Sequence, residues 1–382
     1  MAKVRKRTRE SKGGKRNAWI ADYTDQAGKR HIKTFPTQKA AKTWLVETQH
    51  EVKQGVHTPV RTSITVAEAG ETWIAQAETD GLEASTVLQY RQHLRYHITP
   101  FIGQTKLAEL APATVASFRN ALIREGRSRA MAKKAVGSLG AMLAAAMASG
   151  KVARNVVRDQ ARQHGARQRR LEKRHDARLE VGTDVPTKDE IRALLAVAQG
   201  RWRPLILTAI FTGLRASELR GLTWSDLDLD RGTLIVRQRA DRWNRIGSPK
   251  SDAGKREIPL APLVVNTLRE WALACPKGEL SLVFPNGDGN IESLPNIHRR
   301  GLGPLQAAAG ITSDKDHPKY GLQSFRHAAA SLFIEQGFTP KRVQALMGHS
   351  SIQVTFDTYG HLFPSQAEDQ AAMQQLQTRL VG

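Results

Sequence analysis

The sequence predicts a multidomain chain that is mainly helical and carries small β-sheets. Its 382 residues exceed what one hydrophobic core usually organises, which indicates two or three domains. Short strand-like segments occur near the N-terminus and again near residues 232–260, whereas elsewhere the apolar residues recur every three to four positions. We therefore expect a sheet-plus-helix domain, a four-helix domain and an α+β domain, in that order.

The chain is strongly basic, with a formal net charge of +22 and a pI of about 10.4. A clustered surplus of this size repels itself and is typical of proteins that bind polyanions such as nucleic acid. The alternative is a charged surface that serves only solubility. No apolar run is long enough to span a membrane, and "MAKVRKRTRESKGGKRN" lacks the apolar core of a secretory signal. The single cysteine, Cys275, excludes an intrachain disulfide and fits a reducing cytoplasm.

Residues 1–60 are predicted to form a small sheet that packs on one helix. "KVRKRTR", "AWIADY" and "KRHIKTF" are typical of strands, and Gly28 suits the turn between the last two. Thr37 is expected to cap the helix, and Gly55 to end it. Charges that protect a solvated sheet edge are one interpretation, and DNA contact is favoured by the bias of the whole chain. The candidate DNA-binding residues are Lys3, Arg5, Arg7, Arg9, Lys15, Arg16, Arg30 and Lys33.

Residues 64–154 are predicted to form four amphipathic helices around one core. Ser85 is expected to cap the second helix, Pro112 to open the third and Gly150 to stop the fourth. The predicted apolar stripes comprise Val66, Trp73, Ile74 and Ala77; Val87, Tyr90, Leu94 and Ile98; Val115, Phe118 and Leu122; and Val136, Leu139, Leu143 and Met147.

Residues 155–182 are rich in arginine and lack continuous apolar periodicity. We therefore expect a basic linker that follows a DNA backbone, and an exposed basic helix is the alternative.

Residues 183–382 are predicted to form the α+β domain. Thr187 and Glu190 have capping-box spacing, and the helix through "PLILTAIFT" is expected to end at Gly213. "GTLIVRQR" and "KREIPL" are predicted strands of a hairpin, and helices fill most of the remainder. In the tail, residues 364–382, Ala372, Leu376 and Leu380 share one helical face; so short a helix should dock on this subunit or a neighbour.

Basic residues and one late tyrosine recur within four separate segments of this domain. These segments are "TGLRASEL" with Arg215 and Glu218, "SPKSDAGKREIPL" with Lys250, "LQSFRHAAAS" with Arg326, and "LMGHSSIQVTFDTYGHLF" with His349 and Tyr359. Arginine forks match the oxygens of a phosphodiester, and preorganised positive charge stabilises its transition state. Alone, each residue has an ordinary structural explanation, such as a helical ion pair for Arg215 and Glu218. The ordered set indicates phosphoryl transfer, and no carboxylate cluster of metal-ligand type accompanies it.

These four segments and the domain order resemble the tyrosine recombinase family, specifically the phage-type integrases. The resemblance implies an arm-binding domain at residues 1–60, a core-binding domain at 64–154 and a catalytic domain at 183–382. It also implies that Tyr359 is the nucleophile that forms a 3′-phosphotyrosyl link, and that no cofactor or metal is needed. The further implied roles are phosphate clamping by Arg215 and Arg326, general acid catalysis by Lys250, phosphate hydrogen bonding by His349 and support of Arg215 by Glu218.

One residue departs from the family pattern. The family commonly has histidine three residues before the second arginine, and this chain has Gln323 there. Glutamine can donate a hydrogen bond but cannot take up a proton near neutral pH. His327 is expected to project about 100° away from Arg326 and not to substitute. Lys255 competes with Lys250 for the general-acid role, and nearby positive charge is expected to ease deprotonation of Tyr359.

The resemblance implies an enzyme that integrates and excises a phage or other mobile element. Expected partners are double-stranded attachment sites, further subunits in a tetramer, a directionality factor and a DNA-bending host protein. The expected location is the nucleoid in a bacterial cytoplasm. A chromosome-dimer resolving recombinase would lack residues 1–60, and a type IB topoisomerase would need neither tetramers nor two sites. A DNA-binding regulator with a decayed site is the non-enzyme alternative, which the intact basic residues and Tyr359 disfavour.

Overall fold

The computed structural model describes residues 2–11, 14–26, 28–55, 57, 59–163, 179–312, 318–363, 373 and 377–379. The chain divides into two compact units, Met1–His175 and Asp176–Gly382. Within the described ranges, no helix combines the length and the apolar character that a membrane crossing requires. The mainly helical architecture with small sheets agrees with the predicted fold class.

The first unit begins with a three-stranded antiparallel sheet and a helix. The strands β1 (Lys3–Ser11), β2 (Gly14–Thr24) and β3 (Arg30–Phe35) lie in sequence order, and α1 (Gln38–Gln54) packs against them. As predicted, Thr37 accepts a hydrogen bond from the backbone of Ala40, and Gly55 ends α1 in the left-handed conformation. Gly28 also has a positive φ, of 77°, as its turn requires.

The two faces of this sheet carry different side chains. Lys33 lies on the face that packs on α1, with its ammonium 4.8 Å from the centroid of the Trp44 ring. Lys33 therefore lies on the helix-facing side of the sheet, because side chains alternate along a strand and Lys33 shares its face with Phe35. Its contact with DNA stays a prediction. The exposed candidates elsewhere in the sheet are Lys3, Arg5, Arg7 and Arg30. The side chains of Arg9, Lys15 and Arg16 lie outside the described part of the chain.

A helical bundle forms the rest of the first unit, and its predicted core is confirmed. Its helices are α2 (Val66–Thr79), α3 (Ala84–His93, continued by a π-helical turn at Leu94–Ile98), α4 (Thr99–Ile102), α5 (Pro112–Arg124), α6 (Arg129–Ala148) and α7 (Val156–Gln163), with a 3₁₀ turn at Leu107–Glu109. Two local predictions are wrong. Glu83, not Ser85, is the N-cap residue of α3, and the Ser85 hydroxyl instead donates to the Glu83 carboxylate. Met147 is 38% exposed, and Met142 is buried in the core.

The segment predicted to begin a linker is partly helical. Residues Val156–Gln163 form α7, and Val156 is buried with the bundle core. Asn155 is also buried, and its amide donates to the carbonyl of Gly140. Val156 and Val157, at the start of a basic run, are thus enough to bury one end of this helix. The prediction of a linker missed the helix because it required apolar residues to recur along the whole segment. Residues 164–178 lie outside the described part.

The second unit combines helices with two small sheets. Its helices are α8 (Lys188–Val197), α9 (Trp202–Thr212), α10 (Ala216–Gly221), α11 (Pro262–Ala274), α12 (Leu294–Asn296), α13 (Gly303–Ala308), α14 (Leu322–Glu335), α15 (Pro340–Met347) and α16 (Ile352–Tyr359). Its strands are β4 (Leu227–Asp228), β5 (Thr233–Val236), β6 (Arg239–Ala240), β7 (Ile246–Gly247) and β8 (Arg256–Pro259). A π-helical turn spans Ile297–Leu302, and 3₁₀ turns span Trp224–Asp226, Asp252–Gly254 and Gly360–Leu362.

The local signals of this unit are confirmed with one difference. Thr187 and Glu190 form the predicted capping box, and Gly213 ends α9 with a φ of 64°. Strands β5 and β8 pair antiparallel as predicted, but the two-stranded ribbon of β6 and β7 is inserted between them. The predicted apolar face of the tail, Ala372, Leu376 and Leu380, lies outside the described residues.

Candidate active site

Arg215 is held at the entrance of α10. Gly213, two residues earlier, has a φ of 64°, a left-handed conformation that favours glycine. The Arg215 backbone N–H donates to one oxygen of Glu218 at 2.9 Å, and its guanidinium donates to the other at 2.8 Å. A further guanidinium N–H donates to the carbonyl of Gly348 at 2.8 Å. Arg215 therefore joins α10 to the segment that carries His349.

Glu218 is the acidic centre of this arrangement and is only 2% exposed. Besides Arg215, it binds Arg256, whose two terminal nitrogens donate to the two carboxylate oxygens at 3.2 and 2.8 Å. Burial acts to raise the pKa of Glu218, but the hydrogen bonds and charges of Arg256 and Arg215 outweigh it and hold the pKa below its ordinary value. Arg256 also donates to the carbonyls of Leu346 and Gly254. The sequence predicted the pairing of Glu218 with Arg215, which the structure shows, but it gave no sign of Arg256.

Arg326 lies on the first turns of α14 and is 3% exposed. Its guanidinium donates to the carbonyl of Gly213 at 2.6 Å and to the carbonyl of Met347. Burial, followed by the positive charge of Arg215, lowers its pKa to about 9, so it remains protonated at neutral pH. The two carbonyls come from the ends of α9 and α15, which fixes the guanidinium between the Arg215 and His349 segments.

His349 follows the left-handed Gly348 that ends α15. A Cβ atom on Gly348 would lie 2.8 Å from the Arg256 guanidinium and 2.9 Å from the carbonyl oxygen of Ala253, so a side chain does not fit. The His349 ring is hydrogen-bonded through Nδ1 to the hydroxyl of Thr355 at 2.9 Å. Burial, followed by the charge of Arg326, lowers the pKa of His349 to about 4, so the ring is neutral at physiological pH.

Tyr359 is the last residue of α16 and is 1% exposed. Its hydroxyl is hydrogen-bonded to Nδ1 of His327 at 2.7 Å, and its ring stacks on His349 with centroids 6.2 Å apart. Burial raises the pKa of Tyr359 to about 12, against a smaller lowering by Arg326. Arg326 thus eases deprotonation as expected, but burial outweighs it, because removing the phenolate from water costs more than Arg326 recovers.

Gln323 and His327 lie one turn apart on the same face of α14. Nε2 of Gln323 is 3.3 Å from Nε2 of His327, so the imidazole ring lies between the glutamine and the tyrosine. The expectation for His327 concerned its angle to Arg326, one residue away, and did not consider Gln323. Residues four apart in a helix share a face, and the structure places the His327 ring against the Tyr359 hydroxyl. That spacing, from Gln323 to His327, was the signal in the sequence that could have found it.

Lys250 lies on the loop between β7 and the 3₁₀ turn Asp252–Gly254. This turn approaches the site, since the carbonyl of Ala253 adjoins Gly348. Lys255, its competitor in the sequence, directly precedes β8, and both lysines are exposed. The structure thus places both lysines at the β7–β8 connection and brings that connection to the His349 segment.

The site as a whole suits a phosphate. The guanidinium groups of Arg215 and Arg256 bind the carboxylate of Glu218, and the charge of Arg326 acts on the same cluster, so the cluster carries excess positive charge. A phosphodiester bound there would meet both a neutral imidazole and a tyrosine hydroxyl. Within the residues that the structure describes, no three His, Cys, Asp or Glu side chains converge as metal ligands.

Comparison with known proteins agrees with this chemistry. The model of the phage integrase family matches residues 185–366, and that of the phage integrase central domain matches residues 66–163. A putative prophage phiRv2 integrase of Mycobacterium tuberculosis is 26% identical over 345 residues, which cover 87% of this chain and 86% of that relative.

Solved structures show the same fold. The Tn1549 transposon integrase, in complex with a circular intermediate DNA, superposes with a TM-score of 0.67 at 21% identity, covering 82% of this chain and 100% of that one. The lambda integrase tetramer bound to a Holliday junction has a TM-score of 0.55 at 20% identity, covering 90% of this chain and 95% of that one. Fold and site define a tyrosine recombinase. The chain belongs to the phage integrase family and is a site-specific recombinase that cleaves and rejoins DNA strands.

Proposed function

We propose that this recombinase integrates and excises a mobile element through a covalent link between Tyr359 and the 3′ end of a cleaved strand. The observation that carries the proposal is the convergence of Tyr359, His349, Arg326 and the partly exposed Arg215 in one cluster, although these residues are far apart in sequence. The Tyr359 oxygen attacks phosphorus and the bond to the 5′ oxygen breaks. The phosphotyrosyl link retains the bond energy, so a second 5′-hydroxyl can reverse the step without a cofactor.

In this proposal each polar or charged side chain stabilises a different part of the transition state. Arg215 and Arg326 bind the non-bridging oxygens, where negative charge accumulates, and Glu218 holds Arg215 in position. The neutral His349 donates a hydrogen bond to the same phosphate. Lys250 protonates the departing 5′ oxygen, and Gln323 donates to the scissile phosphate from its amide.

DNA binding is proposed to prepare Tyr359 for attack. In this structure its hydroxyl is buried, bonded to His327, and has a pKa raised to about 12. A phosphate can therefore reach this hydroxyl only after the side chains that cover it move aside. A tyrosine that is protonated and covered before DNA arrives would not react with other electrophiles.

The remaining parts of the chain are proposed to bind and arrange DNA. The basic strands of residues 1–60 contact arm-type sites, residues 64–154 contact the core site, and the arginine-rich segment that follows tracks the backbone. Further copies of the chain assemble as a tetramer on two duplexes, with a directionality factor and a DNA-bending protein of the host. The proposed location is the nucleoid in a bacterial cytoplasm.

A covalent-trapping experiment tests the proposal. The wild-type protein is incubated with a nicked attachment-site duplex, from which cleavage releases a short fragment so that rejoining cannot follow, and protein–DNA adducts are resolved under denaturing conditions. We expect adducts with the wild type and none with Tyr359→Phe, which retains DNA binding. Tyr320→Phe, which also removes a buried hydroxyl of this unit, is the control and should still form adducts. Adducts of Tyr359→Phe at the wild-type level would show that another residue is the nucleophile.

A further inference from the structure

We propose that His327 accepts the proton of Tyr359 during strand cleavage and returns it during rejoining. Its Nδ1 lies 2.7 Å from the tyrosine oxygen, which is within the distance that proton transfer requires. This inference rests on the proposed role of Tyr359 and adds the group that activates it.

The geometry separates His327 from the other candidates for this role. Gln323 occupies the position where the family commonly has histidine, and its amide cannot accept a proton near neutral pH. His349 stacks flat on the Tyr359 ring, and its Nδ1 is engaged by Thr355. Among these three, His327 is the side chain whose ring nitrogen is bonded to the reacting hydroxyl.

The proton and electron balance of the step is simple. A lone pair of the tyrosine oxygen forms the new bond to phosphorus, and the hydroxyl proton moves to Nδ1 of His327, which becomes an imidazolium. The bond from phosphorus to the 5′ oxygen breaks, and that oxygen takes its electron pair and a proton from Lys250. Rejoining reverses each transfer, so that neither an oxidant nor a reductant is needed.

Gln323 is placed to fix which nitrogen of the His327 ring carries the proton. For Nδ1 to accept, the proton of the neutral ring must be on Nε2, and Nε2 lies 3.3 Å from the terminal amide of Gln323. The amide oxygen accepts this proton once the amide group turns by half a rotation about its last torsion, and oxygen and nitrogen of such an amide occupy equivalent places. The same bond then stabilises the imidazolium, as a carbonyl partner does for other catalytic histidines.

Transfer is expected to be concerted with attack rather than to precede it. Burial raises the pKa of Tyr359 to about 12, whereas burial and then the charge of Arg326 lower the pKa of His327, with Asp184 opposing. A free phenolate is therefore scarce, and the proton leaves only as the oxygen bonds to phosphorus and its acidity increases. The charged and titratable neighbours of His327 are Arg326, Asp184, His349 and Tyr359, and a bound phosphate adds a negative charge that favours the imidazolium.

Single-turnover cleavage of the nicked duplex tests the inference. His327→Ala and His327→Asn should slow adduct formation by roughly 10²–10⁴-fold, the usual contribution of a general base. Asparagine can donate to the tyrosine oxygen but cannot take its proton, so its failure to restore the rate separates catalysis from positioning. His361→Ala, which removes a histidine two residues beyond Tyr359, is the matched control and should cleave at the wild-type rate. Full activity of His327→Asn would overturn the inference.

A substrate with sulfur in place of the bridging 5′ oxygen identifies the step that is lost. A thiolate leaves without a proton, so this substrate should restore cleavage by Lys250→Ala and should leave the His327 variants slow.

Two further measurements address the proton itself. Free imidazole should partly restore His327→Ala, and the wild-type rate should fall at acidic pH as His327 becomes protonated. Rescue of His327→Ala by the sulfur substrate would assign His327 to the leaving group and overturn the inference. The proposed function itself fails only if the wild-type protein forms no adduct, so the two outcomes are distinguishable.

Discussion

Glu218 binds Arg256 through both carboxylate oxygens, and this bidentate pair connects the start of α10 to strand β8. The same carboxylate binds Arg215, while Arg256 also reaches the carbonyls of Leu346 and Gly254. One buried side chain thus fixes the relative positions of Arg215, for which phosphate binding is proposed, the Lys250 loop and the segment that leads to His349. Its loss should affect both folding stability and catalysis.

Replacement of Glu218 by glutamine should destabilise the protein by about 3–5 kcal/mol, because it leaves two largely buried guanidinium groups without their counter-charge. Differential scanning calorimetry of the full-length chain measures the effect as a lower Tm for the transition of the catalytic unit. Asp230→Asn is the control, since Asp230 and Arg269 form an exposed pair worth about 0–1 kcal/mol. Equal Tm values for the wild type and Glu218→Gln would contradict the structural role.

The pH dependence of the same transition gives a second test of Glu218. Its pKa in the folded state is lowered, so its contribution to stability is complete above pH about 4.5 and is lost as the pH falls through the folded-state pKa. The Tm of the wild type should therefore decrease more steeply in this acidic range than that of Glu218→Gln, which has no proton to gain. Parallel curves for the two proteins would show that the Glu218 pKa is unchanged by folding.

The two faces of the N-terminal sheet should respond differently to removal of positive charge. Arg5→Ala with Arg7→Ala removes two exposed side chains from β1, and each lost phosphate contact should reduce the slope of log affinity against log salt by about 0.9. Lys33→Ala removes a side chain that packs over Trp44, so it should lower stability and leave the salt slope unchanged. Filter binding to arm-site DNA at several salt concentrations measures both slopes. A reduced slope for Lys33→Ala alone would place the DNA on the opposite face.

Much of this organisation follows from local sequence patterns. The caps at Thr37 and Thr187 and the helix end at Gly213 are each determined by one or two residues, and the structure confirms them. The four segments that carry Arg215, Arg326, His349 and Tyr359 were recognisable because phosphate binding demands particular residue types. Their convergence, however, depends on long-range contacts such as Arg215 with the carbonyl of Gly348.

The features that sequence reasoning missed depend on what covers a residue. Arg256 looks like an ordinary strand residue until Glu218 is known to be buried beside it. The raised pKa of Tyr359 follows from its burial, which no local pattern reports. Lys33 was different, because its alternation with His31 and Phe35 already predicted the helix-facing side of the sheet. The sequence analysis counted the charges of the sheet without assigning them to faces.

Deletion of residues 1–60 should separate cleavage from recombination. Cleavage of a short core site should remain, because the proposed catalytic residues all lie in the second unit. Recombination of full attachment sites should be strongly impaired, since binding to two sites at once, and the avidity it provides, would be lost. Adduct assays and two-plasmid recombination assays on the same preparation measure the two activities, and calorimetry verifies that the shortened protein is folded. Normal recombination by the truncated protein would contradict an arm-binding role for this region.

Substitutions of Gln323 should reveal how its amide contributes to the reaction. A hydrogen bond to a charged group is worth about 1.5–3 kcal/mol, so loss of the amide in Gln323→Ala should slow cleavage by roughly 10–150-fold without abolishing it. Gln323→Glu should be slower still, because a carboxylate repels the phosphate and also favours a His327 that is already protonated. Gln323→His should keep substantial activity, since imidazole also donates, and should add a second pH dependence, near the usual histidine range, to that of His327. Single-turnover cleavage of the nicked duplex across pH ranks the three variants, with DNA affinity measured in parallel to separate binding from chemistry. Wild-type rates for both the alanine and the glutamate variants would show that Gln323 contacts neither the phosphate nor the activated His327 in the transition state.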